Sequence, residues 1–130
     1  MESEKKFKNY RFENLEVYRI AMDIVKEIYK VTKKFPKDEL FSLVNQLKRA
    51  ATSIVLNIVE GSAQPTKKSF ILYIRRSIGS TVECVGCVKI ALQENFVLVE
   101  EVKTLQALLE KEYFKLLGLE KSLSASTFER

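Results

Sequence analysis

Histidine is absent from this chain of 130 residues, which limits the chemistry that its other side chains could do. Neither a Ser-His-Asp triad nor a Cys-His pair can be assembled without an imidazole. No Gly-rich loop of the kind that cradles phosphates is present. The reactive groups that remain are two thiols, Cys84 and Cys87, and carboxylates such as those of Glu60, Glu83 and Glu112.

The two cysteines form a C-x-x-C pair, a spacing found in redox-active sites and in zinc sites. Cys84 and Cys87 lie in the middle of a predicted helix, whereas a redox pair sits at a helix N-terminus. A zinc ion would need two further ligands from another chain. We instead expect a face of small residues that lets two helices approach closely, which would compensate for helical glycines. Its predicted members are Ser80, Cys84, Cys87 and Ala91, with Gly79 and Gly86 in addition.

The three glutamates could meet inside a helical bundle, as the carboxylates of di-iron proteins do. Those proteins use Glu-x-x-His pairs, which a chain without histidine lacks. We therefore expect no catalytic residue, no metal site and no cofactor, and a protein that is not an enzyme.

Long helices must position these groups, because four Gly and two Pro leave little room for loops. Apolar residues recur at spacings of three and four along four segments, which is typical of amphipathic helices. Phe35-Pro36 ends the first segment, and Thr66 is a predicted cap of the third. The four predicted helices cover about 14–34, 37–62, 66–95 and 98–123.

Short connections between helices of this length predict an all-α, antiparallel up-down-up-down four-helix bundle. We expect one domain over residues 1–130, with a flexible N-terminal arm at 1–12 and a frayed C-terminal tail at 124–130.

Charge and hydropathy predict a cytoplasmic protein. The longest uncharged run, residues 50–59, has ten residues, about half of what a membrane-spanning helix needs. The charged first twelve residues do not resemble a secretion signal, and two cysteines suit a reducing compartment. The net charge of +5 allows an acidic partner such as nucleic acid.

A stripe of polar residues, within about 80° of one another around the helix, follows the second predicted helix. Amides and hydroxyls dominate it, which suits partial burial better than a solvated face. We expect Arg49 and Glu60 to anchor a hydrogen-bonded network that reaches Ser80 or Glu83 on the third helix. The alternatives are a ligand groove and a contact between subunits. The stripe consists of Ser42, Gln46, Arg49, Ser53, Asn57 and Glu60.

Basic residues form two clusters that an antiparallel bundle would bring to the same end. Segment 64–76 has four positive charges and no negative one, which would suit phosphate binding. The alternative is an ordinary solvated end. The candidate nucleic-acid-binding residues are Lys5, Lys6, Lys8 and Arg11 in the arm, and Lys67, Lys68, Arg75 and Arg76 in the third helix.

The second helix resembles the signature of the four-helix-bundle proteins encoded in intervening sequences of bacterial 23S ribosomal RNA genes. The matching string is Gln46-x-x-Arg49-Ala50-x-x-Ser53-Ile54-x-x-Asn57-Ile58-x-Glu60-Gly61. Other landmarks in the same order are Phe12-x-x-Leu15, Phe35-Pro36 and Gly79-Ser80-x-x-Glu83. Val59, where Ala is common, and Lys48, where Arg is common, depart from the pattern.

The resemblance implies a small cytoplasmic bacterial protein that forms a ring-like homopentamer, with no established enzymatic activity and a suspected role in RNA binding. A related branch comprises accessory proteins of diversity-generating retroelements, which engage nucleic acid and a reverse transcriptase. A pentamer would also bury apolar residues that we expect a lone chain to expose. These residues are Phe41, Val44, Val55 and Val59.

We therefore expect a non-catalytic homo-oligomer whose basic ends contact RNA phosphates. The alternative is a scaffold that recruits a protein partner and makes no contact with nucleic acid. No membrane partner is expected.

Overall fold

Amphipathic segments of this chain fold into four long helices in the computed structural model, which describes residues 10–128. The helices are α1 (Glu16–Val31), α2 (Asn45–Ser62), α3 (Lys67–Gln93) and α4 (Lys103–Phe128). Shorter 3-10 turns lie at Arg11–Asn14, Thr32–Lys34, Lys37–Glu39 and Val99–Val102, and a π-helical turn lies at Leu40–Val44. No strand occurs within 10–128. The predicted all-α class is confirmed.

The start of α3 shows how local sequence sets a helix boundary. The backbone N–H of Ser69 donates to the Thr66 hydroxyl oxygen at 3.1 Å, so the predicted cap is confirmed. The helix ends at Gln93, and Asn95 then adopts a φ of 61°. Asparagine tolerates this left-handed conformation better than most residues, which allows a tight turn toward α4.

Each helix packs against the next, and α1 also packs against α4, around one shared core. Lys34, just after α1, contacts Glu101, just before α4, at 3.2 Å. Arg75 near the start of α3 contacts Glu120 near the end of α4 at 2.6 Å. Both ion pairs are consistent with the expected antiparallel arrangement.

Two predicted chain ends differ from the structure. Residues 10–12, expected in a flexible arm, lead into a turn in which the rings of Tyr10 and Phe12 stack at 5.9 Å. Phe12 also meets Tyr18 edge-on at 4.9 Å, which holds this segment against α1. At the other end α4 continues through Phe128, so most of the predicted frayed tail is helical. Residues 1–9 lie outside the described part of the chain.

The helical glycines do not pack as expected. A Cβ added at Gly79 or Gly86 would meet nothing within 4 Å. These two positions lie roughly 120° around α3 from the buried thiols, because successive residues are about 100° apart. The close approach occurs instead at Gly61, where an added Cβ would lie 2.8 Å from Phe70 Cδ1 and from Tyr73 Cβ.

The expected excess of exposed apolar residues on α2 is also largely wrong for the single chain. Val44 and Val55 are buried at 4% and 8% exposure, and Val59 is half-buried. Of the four residues, only Phe41 is exposed, at 88%.

None of the helices within 10–128 combines the length and hydropathy that crossing a bilayer requires.

Candidate functional site

The polar stripe of α2 lies along the groove between α2 and α3. The Gln46 side-chain amide donates to the Glu83 carboxylate at 3.2 Å. Ser80 donates its hydroxyl to the Ser53 hydroxyl oxygen at 2.9 Å, and the Asn57 amide donates to the same oxygen at 3.0 Å. The structure therefore brings these five residues together as two small hydrogen-bonded groups.

Arg49 and Glu60, the expected anchors, do not join these groups. Both side chains are exposed, and neither has a hydrogen-bonding or ionic partner within the described residues. In a single chain, the Arg49 guanidinium and the Glu60 carboxylate are therefore free to pair with groups of another molecule.

Where the first half of α2 faces α3, the groove opens into a cavity of about 510 Å³. Arg49 and Glu83 supply opposite charges to its wall, and Phe41 stands at its edge. The remaining lining residues are Ser42, Asn45, Gln46, Ala50 and Ser53. This set can receive polar side chains of a partner, and the Ser42 hydroxyl in it donates to the Glu39 carboxylate at 2.7 Å.

The second candidate site is the basic end, where α2 passes into α3. The Arg11 guanidinium lies 5.6 Å from the centre of the Phe70 ring, and that of Arg76 lies 4.7 Å from the Tyr73 ring. Cation–π contacts of this kind orient a guanidinium without neutralising it. Lys67 and Lys68 are exposed on the first turn of α3.

Part of this basic cluster is compensated. Arg75 donates to Glu120 at 2.6 Å, so its charge is partly neutralised. Lys5, Lys6 and Lys8 lie outside the described residues. Of the arm cluster the structure describes only Arg11, which lies beside the first turns of α3.

The two thiols are unsuited to nucleophilic chemistry. Burial, with smaller effects of Cys87 and Glu83, raises the pKa of Cys84 to about 12. Burial also raises the pKa of Cys87, with a smaller effect of Glu83. Both groups are therefore protonated at neutral pH, whereas a reactive cysteine needs a lowered pKa. No cluster of three or more potential metal ligands occurs among the described residues.

The sequence pattern did not predict the environment of Glu112, although its place at a vacant apolar position of α4 was visible. Glu112 is 0% exposed, and neither carboxylate oxygen has a hydrogen-bond partner in the described structure. Burial, with a smaller effect of Glu16, raises the pKa of Glu112 to about 8. Because Glu60 and Glu83 are exposed at the outer groove, the three glutamates do not form one site.

Comparison with known proteins agrees with the resemblance carried by the second helix. The family model described as 23S rRNA-intervening sequence protein matches residues 13–118. A crystal structure of a protein of unknown function from the S23 ribosomal protein family of Bacteroides thetaiotaomicron is similar in fold, with a TM-score of 0.75. The two chains share 17% identity over 81% of this chain and 98% of the other. No curated protein matches this chain. The chain belongs to the 23S rRNA-intervening sequence protein family.

Proposed function

We propose that this protein is a non-catalytic homo-oligomer, built from antiparallel four-helix bundles, that binds RNA phosphates through its basic end. The observation that carries this proposal is the juxtaposition of Arg11 with the first turns of α3. Four further basic residues lie on that stretch, and one of them, Arg75, pairs with Glu120. Such a cluster attracts a polyanion without reading its base sequence.

Assembly would strengthen this binding. A ring of five copies would present the basic end five times, so that one structured RNA could touch several copies at once. Exposed apolar side chains are available for contacts between copies, including Phe41 and Leu56 at 88% and 58% exposure. The family resemblance supports five as the number of copies and the bacterial cytoplasm as the location.

A gel-shift titration with a structured RNA at several salt concentrations tests the proposal. We expect the logarithm of affinity to fall linearly with the logarithm of salt concentration, because binding releases counterions. Replacing Lys67 and Lys68 with alanine removes two phosphate contacts and should reduce the slope by roughly two.

The matched control replaces Lys26 and Lys30, which are exposed on α1, and removes the same charge elsewhere. If both variants lose RNA affinity equally, the loss comes from the lower net charge and not from the position of the lysines. Absence of binding at low salt would contradict the proposed function.

A scaffold for a protein partner is the second candidate function. Arg49 favours it, because this side chain has no partner within residues 10–128 and lines the α2–α3 groove together with the exposed Phe41. Arginine and aromatic residues commonly anchor protein interfaces. Replacing Arg49 with alanine should then abolish co-purification of the partner while leaving RNA affinity unchanged.

A further inference from the structure

A second cavity, of about 370 Å³, lies beside the basic end. The N-terminal turn forms one wall and the last turn of α2 forms the other. Its volume falls within the range of roughly 300 to 1,000 Å³ that is usual for small-molecule sites. The lining residues are Tyr10, Arg11, Phe12, Val59, Ser62 and Ala63.

The Tyr10 ring offers a flat, accessible surface at this cavity. It is 58% exposed, although it stacks on Phe12 with an angle of only 13° between the ring planes. The Tyr10 backbone is held as well, since its N–H donates to the Glu13 carboxylate at 2.7 Å. An exposed aromatic ring held in one orientation is the usual platform on which an unpaired base stacks.

Positive charge lies on one wall of the same cavity. Arg11 lines it directly, and Lys67 and Lys68 begin α3 four to five residues after Ala63. Among nearby acids, the Glu13 carboxylate accepts a hydrogen bond from the Tyr10 N–H, whereas Glu60 is exposed two residues before the end of α2. Arg11 and Lys68 supply positive charge on this side of the cavity, so an anionic backbone can lie here while an attached ring enters the cavity.

We propose that this cavity takes an unpaired nucleobase stacked on Tyr10, with Arg11 and the lysines of α3 on the flanking phosphates. The inference rests on the proposed RNA binding and names its ligand class, namely single-stranded or looped RNA. Bases inside a duplex are stacked on one another and cannot enter such a cavity.

Fluorescence anisotropy with a labelled single-stranded oligoribonucleotide, alone or annealed to its complement, tests this assignment on the full chain. We expect tighter binding of the single strand. Tyr10→Ala should weaken single-strand binding by roughly 5- to 100-fold, the usual loss of one stacked base, and leave duplex binding unchanged. Tyr10→Phe should retain the affinity.

Two further variants keep the test independent of folding. Ala63→Leu narrows the cavity at an exposed position. It should weaken binding of the single strand and leave binding of the duplex unchanged. Tyr29→Ala removes another exposed tyrosine, at 43% exposure on α1, and should have no effect. Equal affinity for single strand and duplex, or full affinity in both Tyr10→Ala and Ala63→Leu, would overturn the base site while leaving the proposed function intact. Failure of the unaltered chain to bind either RNA at low salt would overturn both.

Discussion

Glu112 places a carboxyl group among the leucines that α4 contributes to the core. Leu109 and Leu116 are 1% and 0% exposed, and Glu112 is as deeply buried as they are. Burying a carboxylate costs far more than burying the neutral acid, so the folded chain retains the proton, with a pKa of about 8. Its place in line with these two leucines, at spacings of three and four, is readable from the sequence. Its lack of a partner is not, because that depends on side chains from three other helices.

This proton makes stability depend on pH. Between the ordinary pKa of 4.5 and the folded value of about 8, the carboxyl is protonated in the folded chain and ionised in the unfolded one. The unfolded state then binds fewer protons, so the free energy of unfolding falls as pH rises, by up to about 1.4 kcal/mol per pH unit. The free energy of unfolding has its full value below about pH 4.5, falls between the two pKa values, and stops falling above about pH 8. Urea unfolding followed by circular dichroism at pH 5 to 8 measures it.

Glu112→Gln cannot ionise and should remove this fall. The absence of histidine keeps the window free of side chains that ordinarily titrate there. Glu110→Gln, at an exposed position of the same helix, should keep the full pH dependence. An unchanged pH dependence in Glu112→Gln would show that another group is responsible.

At the scale of elements, apolar periodicity predicts most of each helix, because each core-facing stripe is local to its segment. It does not predict which neighbour a given face meets. Gly79 and Gly86 were assigned to a close contact that the structure places at Gly61. Likewise, the start of the second helix consists of a 3-10 turn and a π-helical turn, which leave Phe41 exposed.

The two environments of glycine predict opposite effects of a methyl group. Gly61→Ala would place Cβ 2.8 Å from Tyr73 Cβ, an atom that moves only with the α3 backbone. We expect a loss of about 1 to 3 kcal/mol in the free energy of unfolding. Gly79→Ala meets open space and should instead gain about 1 kcal/mol, because alanine has the higher helix propensity. Denaturant titration of both variants compares them directly, and a loss at Gly79 would show that this face is covered.

At the scale of the whole molecule, the all-α class was predictable, and which apolar side chains of the second helical segment stay exposed was not. Val44 and Val55 resemble surface-exposed residues when α2 is considered alone, but neighbouring helices bury them. Only a three-dimensional arrangement separates these residues from Phe41 and Leu56, which stay exposed in the single chain. The family string was recognisable because helix two carries it as one continuous segment.

Self-association should therefore depend on the exposed side chains of the second helical segment. Light scattering of the unaltered chain is expected to give about five times the chain mass of 15.0 kDa. Phe41→Ser combined with Leu56→Ser removes two large apolar groups that water would otherwise contact. We expect this variant to be a monomer with an unchanged helical circular dichroism signal.

The matched control is Met22→Ser, at 45% exposure on α1, which should keep the oligomeric mass. Because the Phe41 and Leu56 substitutions leave all basic residues in place, the monomer should also bind structured RNA more weakly, through loss of simultaneous contacts alone. A monomeric unaltered chain would contradict assembly. An unchanged mass in the double variant would show that Phe41 and Leu56 do not hold the copies together.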